Sequence, residues 1–185
     1  MREYIDVLQR QADRLKKLTE DLVEASKASS GAIAVNPESC ELNVLLEQTA
    51  GEYAEKLSKA QLELILDKGQ ESVTIMADGR HMWRILDNLM SNVCKYSLPK
   101  SRVYLSLEAD ERQARIILRN ISRERIGVRA EELTERFVRG DSSRNTEGSG
   151  LGLSIAESLT RLQGGSMQIS LDGDLFKVCL SFARK

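Results

Sequence analysis

Several things are scarce in this chain, and each scarcity narrows what it can be. There is one histidine, and the three cysteines, Cys40, Cys94 and Cys179, lie far apart with no Cys-x-x-Cys pair. That spacing argues against a disulfide framework and against a zinc site, and favours a reducing compartment. No apolar run approaches the roughly 18 residues of a membrane span, and no secretory signal peptide is expected from the first residues. A surplus of one charge is also lacking. The 27 Lys and Arg stand against 28 Asp and Glu, for a formal net charge of −1, so no global basic field favours nucleic acid. The local cluster Arg14, Lys16 and Lys17 reads as solvated charge on an exposed helix face. Asn120-Ile121-Ser122 fits a glycosylation acceptor, which has no meaning without secretion.

What is present suits a globular protein with a real core: 185 residues, 30% charged and 41% hydrophobic. Residues 4 to about 28 form one helical pattern. Ile5, Leu8, Ala12, Leu15, Thr19 and Leu22 make a heptad seam, so this helix needs partner helices. The chain opens inside that pattern, as expected of an internal segment of a longer protein. Ser29-Ser30-Gly31 ends the helix, and a link containing Pro37 follows. A second helix is expected over about Val44 to Lys59 with Asn43 as its cap. Short strands LELIL and VTIMA follow, and Asp78 then caps a third helix running to Tyr96. VYLSLEA and ARIILRN are strands joined by Asp110-Glu111-Arg112. A polar stretch from Ser122 to Ser149 precedes a glycine-led helix with Leu151, Ile155, Leu159 and Leu162 inward. Gly164-Gly165 stops it. MQISL and FKVCLSF close the chain as a hairpin through Asp172-Gly173-Asp174. The expectation is a lone helix before an α/β domain, one mostly antiparallel sheet covered on one face by three helices.

Two stretches carry chemistry. In TEGSGLGLSIAESL, three glycines run straight into a helix. This is no Walker A loop, because no Gly-Lys pair occurs. The dinucleotide fingerprint also fails, because Leu153 stands where its third glycine belongs. Glycines at a helix N-terminus still let backbone N–H groups meet an anion, and a closely packed turn is the other reading. In ILDNLMSNVCKYS, residues Asn88, Asn92 and Lys95 share one helix face while Met82, Leu86, Leu89 and Val93 form the core face. Amide oxygens can ligate a hard cation such as Mg²⁺ shared with phosphates, and Lys95 suits the phosphates themselves.

On these residues the chain resembles the GHKL, or Bergerat-fold, ATP-binding family. NLMSNVCKY is similar to the N box, GSGLGL to the second glycine box, and ERFVRGDSSR to the F box and lid of sensor histidine kinases. RQADRLKKLTEDLVEASKASSG resembles the second helix of the kinases' dimerisation and phosphotransfer domain. The resemblance implies residues 1–30 as that helix and 31–185 as the catalytic ATP-binding domain, an α+β two-layer sandwich with a mixed, mostly antiparallel sheet. It implies ATP and Mg²⁺, with Asn92 as metal ligand and Asn88 lining the same site. Lys95 and Tyr96 would contact phosphates and sugar or base, and Arg139 the terminal phosphates. The segment Gly148, Ser149, Gly150, Leu151, Gly152 and Leu153 would wrap the triphosphate. A lid from about Ile126 to Glu147 would be mobile until nucleotide arrives. Partners would be a response regulator and a second copy of the intact kinase. The segment would be cytoplasmic, in a bacterial protein anchored to the membrane.

Three departures from the family pattern matter. The first glycine box is reduced to Asn120-Ile121-Ser122, so Asn120 replaces the Asp that accepts from adenine, with Ser122 beside it. A neutral amide forms a weaker bond and can also face guanine. Second, the phosphoacceptor helix is absent, and His81, in the first turn of the third helix, reads as a surface or capping residue. This segment is therefore not expected to phosphorylate itself. Third, Asn88 stands where hydrolytic relatives carry a Glu base, so attack by water should be slow. The leading reading is the catalytic core of a two-component sensor histidine kinase, transferring the γ-phosphoryl of ATP to a histidine elsewhere. Alternatives are an anti-sigma-factor-type serine kinase and a binding-only pseudokinase that dimerises.

Overall fold

The computed structural model describes residues 2–127, 129–134 and 150–184. Helix α1, Arg2–Ser29, is the long helix of the heptad pattern. Gly31 terminates it in the left-handed region at φ +70, and the backbone N–H of Ala32 closes on Lys27 O at 3.0 Å. Its seam stays in solvent: Ile5, Leu8 and Leu15 are 59, 68 and 66% exposed. Among the described residues, its C-terminal turns pack against the rest of the chain and bury Asp21, Ala25 and Ala28.

Strand β1, Glu38–Glu41, lies in the expected link and pairs antiparallel with β3, Thr74–Ala77. Helix α2 spans Leu42–Lys59, two residues earlier at its start than the sequence pattern suggested. Asn43 is not its cap. Glu41 holds the N-cap position without a side-chain hydrogen bond. The buried Asn43 amide instead donates to Lys68 O and Glu71 O and accepts from Val73 N, stapling the connection between β2, Glu63–Asp67, and β3. Helix α3, Gly79–Tyr96, begins at the expected Asp78 cap.

The main sheet has five strands in the order β2-β4-β5-β7-β6. These are β2 Glu63–Asp67, β4 Arg102–Ala109, β5 Gln113–Ile121, β6 Ser166–Asp172 and β7 Leu175–Ala183. Only β2–β4 is parallel; the other pairs of this sheet are antiparallel. Instead of one sheet, the described residues thus form a five-stranded and a two-stranded sheet. The small one pairs β1 with β3, neither of which joins the main sheet. A short 3₁₀ turn occupies Ala130–Thr134, and helix α4 occupies Gly152–Leu162.

Alternation builds a two-layer core. Val103, Leu105, Leu107, Ala114, Ile116, Leu118, Val178, Leu180 and Phe182 face the helices and are buried with Leu46, Leu86, Leu89 and Ile155. Gly165, after α4, passes so close to β7 that a Cβ would stand 2.5 Å from the Phe182 ring. Gly173 supplies the positive φ of the two-residue β6–β7 turn, at +58°.

Candidate functional site

Asp78 sets the orientation of α3. Its Oδ1 accepts from the backbone N–H of Arg80 and His81 at 3.0 and 3.4 Å, and its Oδ2 from Asn36 at 3.1 Å. Burial alone would raise this carboxyl's pKa, but the backbone N–H groups of Asn36, His81 and Arg80 and the His81 ring lower it overall. The His81 ring nitrogen lies 3.1 Å from Ala34 O and 3.7 Å from the Asp78 carboxylate, a tie between the α1–β1 link and the cap. So His81 serves structure here, as its place in the first turn suggested.

With Met82, Ile85, Leu86, Leu89, Met90 and Val93 buried, α3 turns Arg84, Asn88, Asn92 and Lys95 to another side. Asn88 is 8% exposed, and its Nδ2 donates to Arg84 O at 3.0 Å, leaving Oδ1 aimed elsewhere. That oxygen meets α4. A Cβ built on Gly152 would stand 3.3 Å from Asn88 Oδ1 and 3.8 Å from the Asn92 amide atoms. The bare helix entrance therefore faces the two amides, the close approach that explains glycine at this position. Leu151 holds the N-cap position of α4 with no side-chain bond, which leaves its first N–H groups without a side-chain cap. Gly150 turns the chain there at φ +70, and Leu151 is anchored in the core while Leu153 packs against it.

At the other end of the site, β5 is tied to the C-terminus of α3. Leu98 N donates to Ile121 O at 2.8 Å, Arg123 N donates to Tyr96 O at 2.8 Å, and Ser97 bridges to Ser122. Asn120 and Ser97 are 5 and 1% exposed, yet Asn120 Oδ1 and Ser97 Oγ have no hydrogen-bond partner. Buried polar atoms without a partner are rare and call for an explanation, a ligand or an ordered water among them; the Nε atoms of Arg115 and Arg119 share this state. Ser97 was not singled out from the sequence; no local pattern distinguishes it, because its burial comes from the β5 crossing. Ser122, by contrast, already donates its hydroxyl to Glu124 O at 2.7 Å. Arg139, Gly148 and Ser149 lie outside the described residues, as does most of the expected lid.

Among the described residues no cluster of three or more His, Cys, Asp or Glu could hold a metal ion. A cation at this site would rest on amide oxygen and on the ligand's own oxygens, a donor set that fits Mg²⁺ better than a soft metal. Among the described residues, no helix is long and apolar enough to cross a membrane.

Residues 77–184, from the β3–α3 junction to the end of β7, match the family described as histidine kinase-, DNA gyrase B- and HSP90-like ATPase. The chain is 30% identical over 184 residues to the sensor histidine kinase RppB of Synechocystis sp. (strain ATCC 27184 / PCC 6803 / Kazusa), covering 95% of this chain and 40% of RppB. It therefore spans well under half of that relative's length. Full-length ShkA, solved in complex with AMPPNP, superposes with a TM-score of 0.82 at 23% identity, over 100% of this chain and 39% of ShkA. The histidine kinase ThkA, solved in complex with the response regulator TrrA, superposes at 0.74 and 18% identity, over 99% of this chain and 51% of the other. The fold, the paired asparagines facing a bare helix entrance and these likenesses agree: the chain belongs to the histidine kinase-, DNA gyrase B- and HSP90-like ATPase family, as a catalytic ATP-binding domain of the sensor histidine kinase kind.

Proposed function

We propose that this chain binds ATP with Mg²⁺ and, within a longer sensor histidine kinase, presents the γ-phosphoryl for transfer to a histidine on another helix. The observation that carries this is the approach of Gly152, without a Cβ, to the amides of Asn88 and Asn92 at the uncapped entrance of α4. Phosphate oxygens take the N–H groups at the start of α4 and the Lys95 ammonium. Tyr96 lines the sugar and base end, and Arg139 reaches the terminal phosphates. Asn92, with Asn88 beside it, holds Mg²⁺, which supplies positive charge against the charge developing on the transferred group. Asn120 and Ser97 read the base, each with a buried oxygen that lacks a partner among the described residues.

Asn88 offers an amide and no general base, so the site orients nucleotide without activating water. His81 is engaged with Ala34 and the Asp78 cap, so the accepting histidine belongs to another segment. Residues 1–30 serve as the second helix of the dimerisation and phosphotransfer domain, and residues 31–185 as the catalytic domain. The complex of ThkA with TrrA supports a response regulator as partner of the intact protein. Likeness to the sensor histidine kinase RppB supports a catalytic domain within a longer sensor, which we place in the cytoplasm of a membrane-anchored protein. Calorimetric titration with ATP tests this reading: binding that strengthens on adding Mg²⁺ is expected, and a folded chain that binds no ATP would overturn it.

A further inference from the structure

The outer face of the main sheet, turned away from the helices, sets two cations against each other. Alternation along the strands puts Arg119 of β5 and Lys177 of β7 on that face, because Leu118 and Val178 beside them are buried in the core. The register places Arg119 directly opposite Lys177 and continues the row to Tyr104 and Ile65 on one side and to Ser170 on the other. Cβ atoms opposed in this way stand about 5 Å apart, and like charges there destabilise a sheet. The other arginines of this face have carboxylates beside them. Arg102 donates to Glu63 at 3.2 Å, and Arg115 lies 3.8 and 4.0 Å from Glu108 and Asp110. Among the described residues, neither Arg119 nor Lys177 makes an ion pair.

Arg119 is positioned but poorly satisfied. Its guanidinium carbon lies 5.8 Å from the centroid of the Tyr104 ring, its Nη2 reaches Ser106 Oγ only at 3.5 Å, and its Nε is buried without a partner. Beside it, Tyr104 and Ile65 are 39 and 36% exposed, an apolar step next to the cations. Four strand spacings of about 4.8 Å give this row of five side chains a span of about 19 Å. Tyrosine and arginine held side by side on a rigid surface are the residue types that protein interfaces enrich.

We propose that this row is a docking surface for an acidic segment of a partner protein, with carboxylates between Arg119 and Lys177 and an apolar side chain over Ile65 and Tyr104. Charge complementarity decides the occupant. A carboxylate between the two cations removes their mutual repulsion and supplies the acceptor that Arg119 lacks. Glu63 and Asp67 of β2 and Asp172 of β6 alternate onto the same face and flank the row. They repel a long polyanion such as nucleic acid, whereas a short acidic segment fits between them. The surface is separate from the nucleotide face, because Asn120, the next residue of β5, points to the opposite side of the sheet.

Denaturant melts and heteronuclear NMR of this full chain test both parts. In melts at low salt, Lys177→Glu is expected to lower the unfolding constant about fivefold, by turning two opposed like charges into an ion pair, and to lower it less at high salt. In NMR at low salt, hexaglutamate is expected to shift the amide signals of Tyr104, Arg119 and Lys177. It is expected to bind Lys177→Glu about tenfold more weakly, while Arg102→Gln, which removes a cation already paired, changes its affinity by less than about twofold. Unchanged stability of Lys177→Glu would overturn the opposition of the two cations. No hexaglutamate binding to the folded chain, or equal weakening by Lys177→Glu and Arg102→Gln, would overturn the docking surface. Shifts produced by inorganic phosphate and not by hexaglutamate would also overturn it, and would leave a small-anion site in its place.

Discussion

Gly152 is the residue on which the site turns. Alanine at a helix position is favoured over glycine by about 1 kcal/mol, so helix propensity alone would welcome a side chain there. The obstacle is Asn88 Oδ1, 3.3 Å from where the Cβ would stand. Gly152→Ala is expected to keep or raise the melting temperature and to weaken ATP binding about tenfold by displacing one amide, roughly one charge-assisted contact. Undiminished affinity in calorimetry would place the phosphates elsewhere. Asn120 tests the base end. Its Oδ1 is buried without a partner, and an aspartate would accept from the adenine amino group with charge assistance, worth about 1 kcal/mol more. Competition between ATP and GTP should therefore show about a fivefold gain in adenine preference for Asn120→Asp; an unchanged ratio would remove Asn120 from base reading. Asn120 stood out from the sequence because a family pattern reaches it. Ser97 did not, because only the crossing of β5 over the end of α3 buries its hydroxyl.

At the scale of elements, caps decide how α3 and α2 enter the fold. Asp78 was legible as a cap because it precedes an amphipathic run, and the structure adds contacts that sequence distance hides: Asn36 N donating to its carboxylate, and Gln163 Oε1 of the α4 terminus accepting from Asp78 N at 2.7 Å. Its carboxyl pKa is lowered on folding, so its stabilisation is fully present above the ordinary carboxylate value of about 3.9 and is lost as pH falls below that through the lowered folded value. Asp78→Ala is expected to cost about 1 kcal/mol near neutral pH. The gap from the unaltered chain, followed by denaturant melts, should narrow below about pH 4. A gap independent of pH would assign the loss to packing instead. Asn43 misled the sequence reading in the same way Asp78 guided it. A short polar side chain before a helical pattern signals a cap, but here the helix begins two residues earlier than that cap implies and the amide serves the β2–β3 connection. Strand β1, Glu-Ser-Cys-Glu, has no apolar alternation and exists only because β3 pairs with it.

At the scale of the whole molecule, α1 presents an apolar seam that its own chain does not cover. Ile5, Leu8, Leu15 and Leu22 are 59, 68, 66 and 46% exposed, at heptad spacing suited to a helix bundle. Sedimentation is expected to show concentration-dependent self-association, abolished by Leu8→Lys with Leu15→Lys, while ATP affinity is unchanged. A chain that remains monomeric at high concentration would mean that the seam needs the other bundle helix to associate. The seam was readable from spacing alone. That Arg84 of α3 bonds Asp21 and Glu24 near the helix end was not, since they lie 63 and 60 residues from it in the chain.

The sequence by itself determined the elements with strong periodicity or turn chemistry: α1, α3, α4, the long strands and the Gly173 hairpin. It also singled out the asparagines and glycines of the proposed site, because helical spacing and missing side chains are local facts. Tertiary structure alone decided which oxygen of Asn88 is left to face Gly152, which buried hydroxyl lacks a partner, and which carboxylates close on Arg84. Those outcomes depend on how sheet and helices pack, and packing brings together residues whose separation along the chain carries no signal.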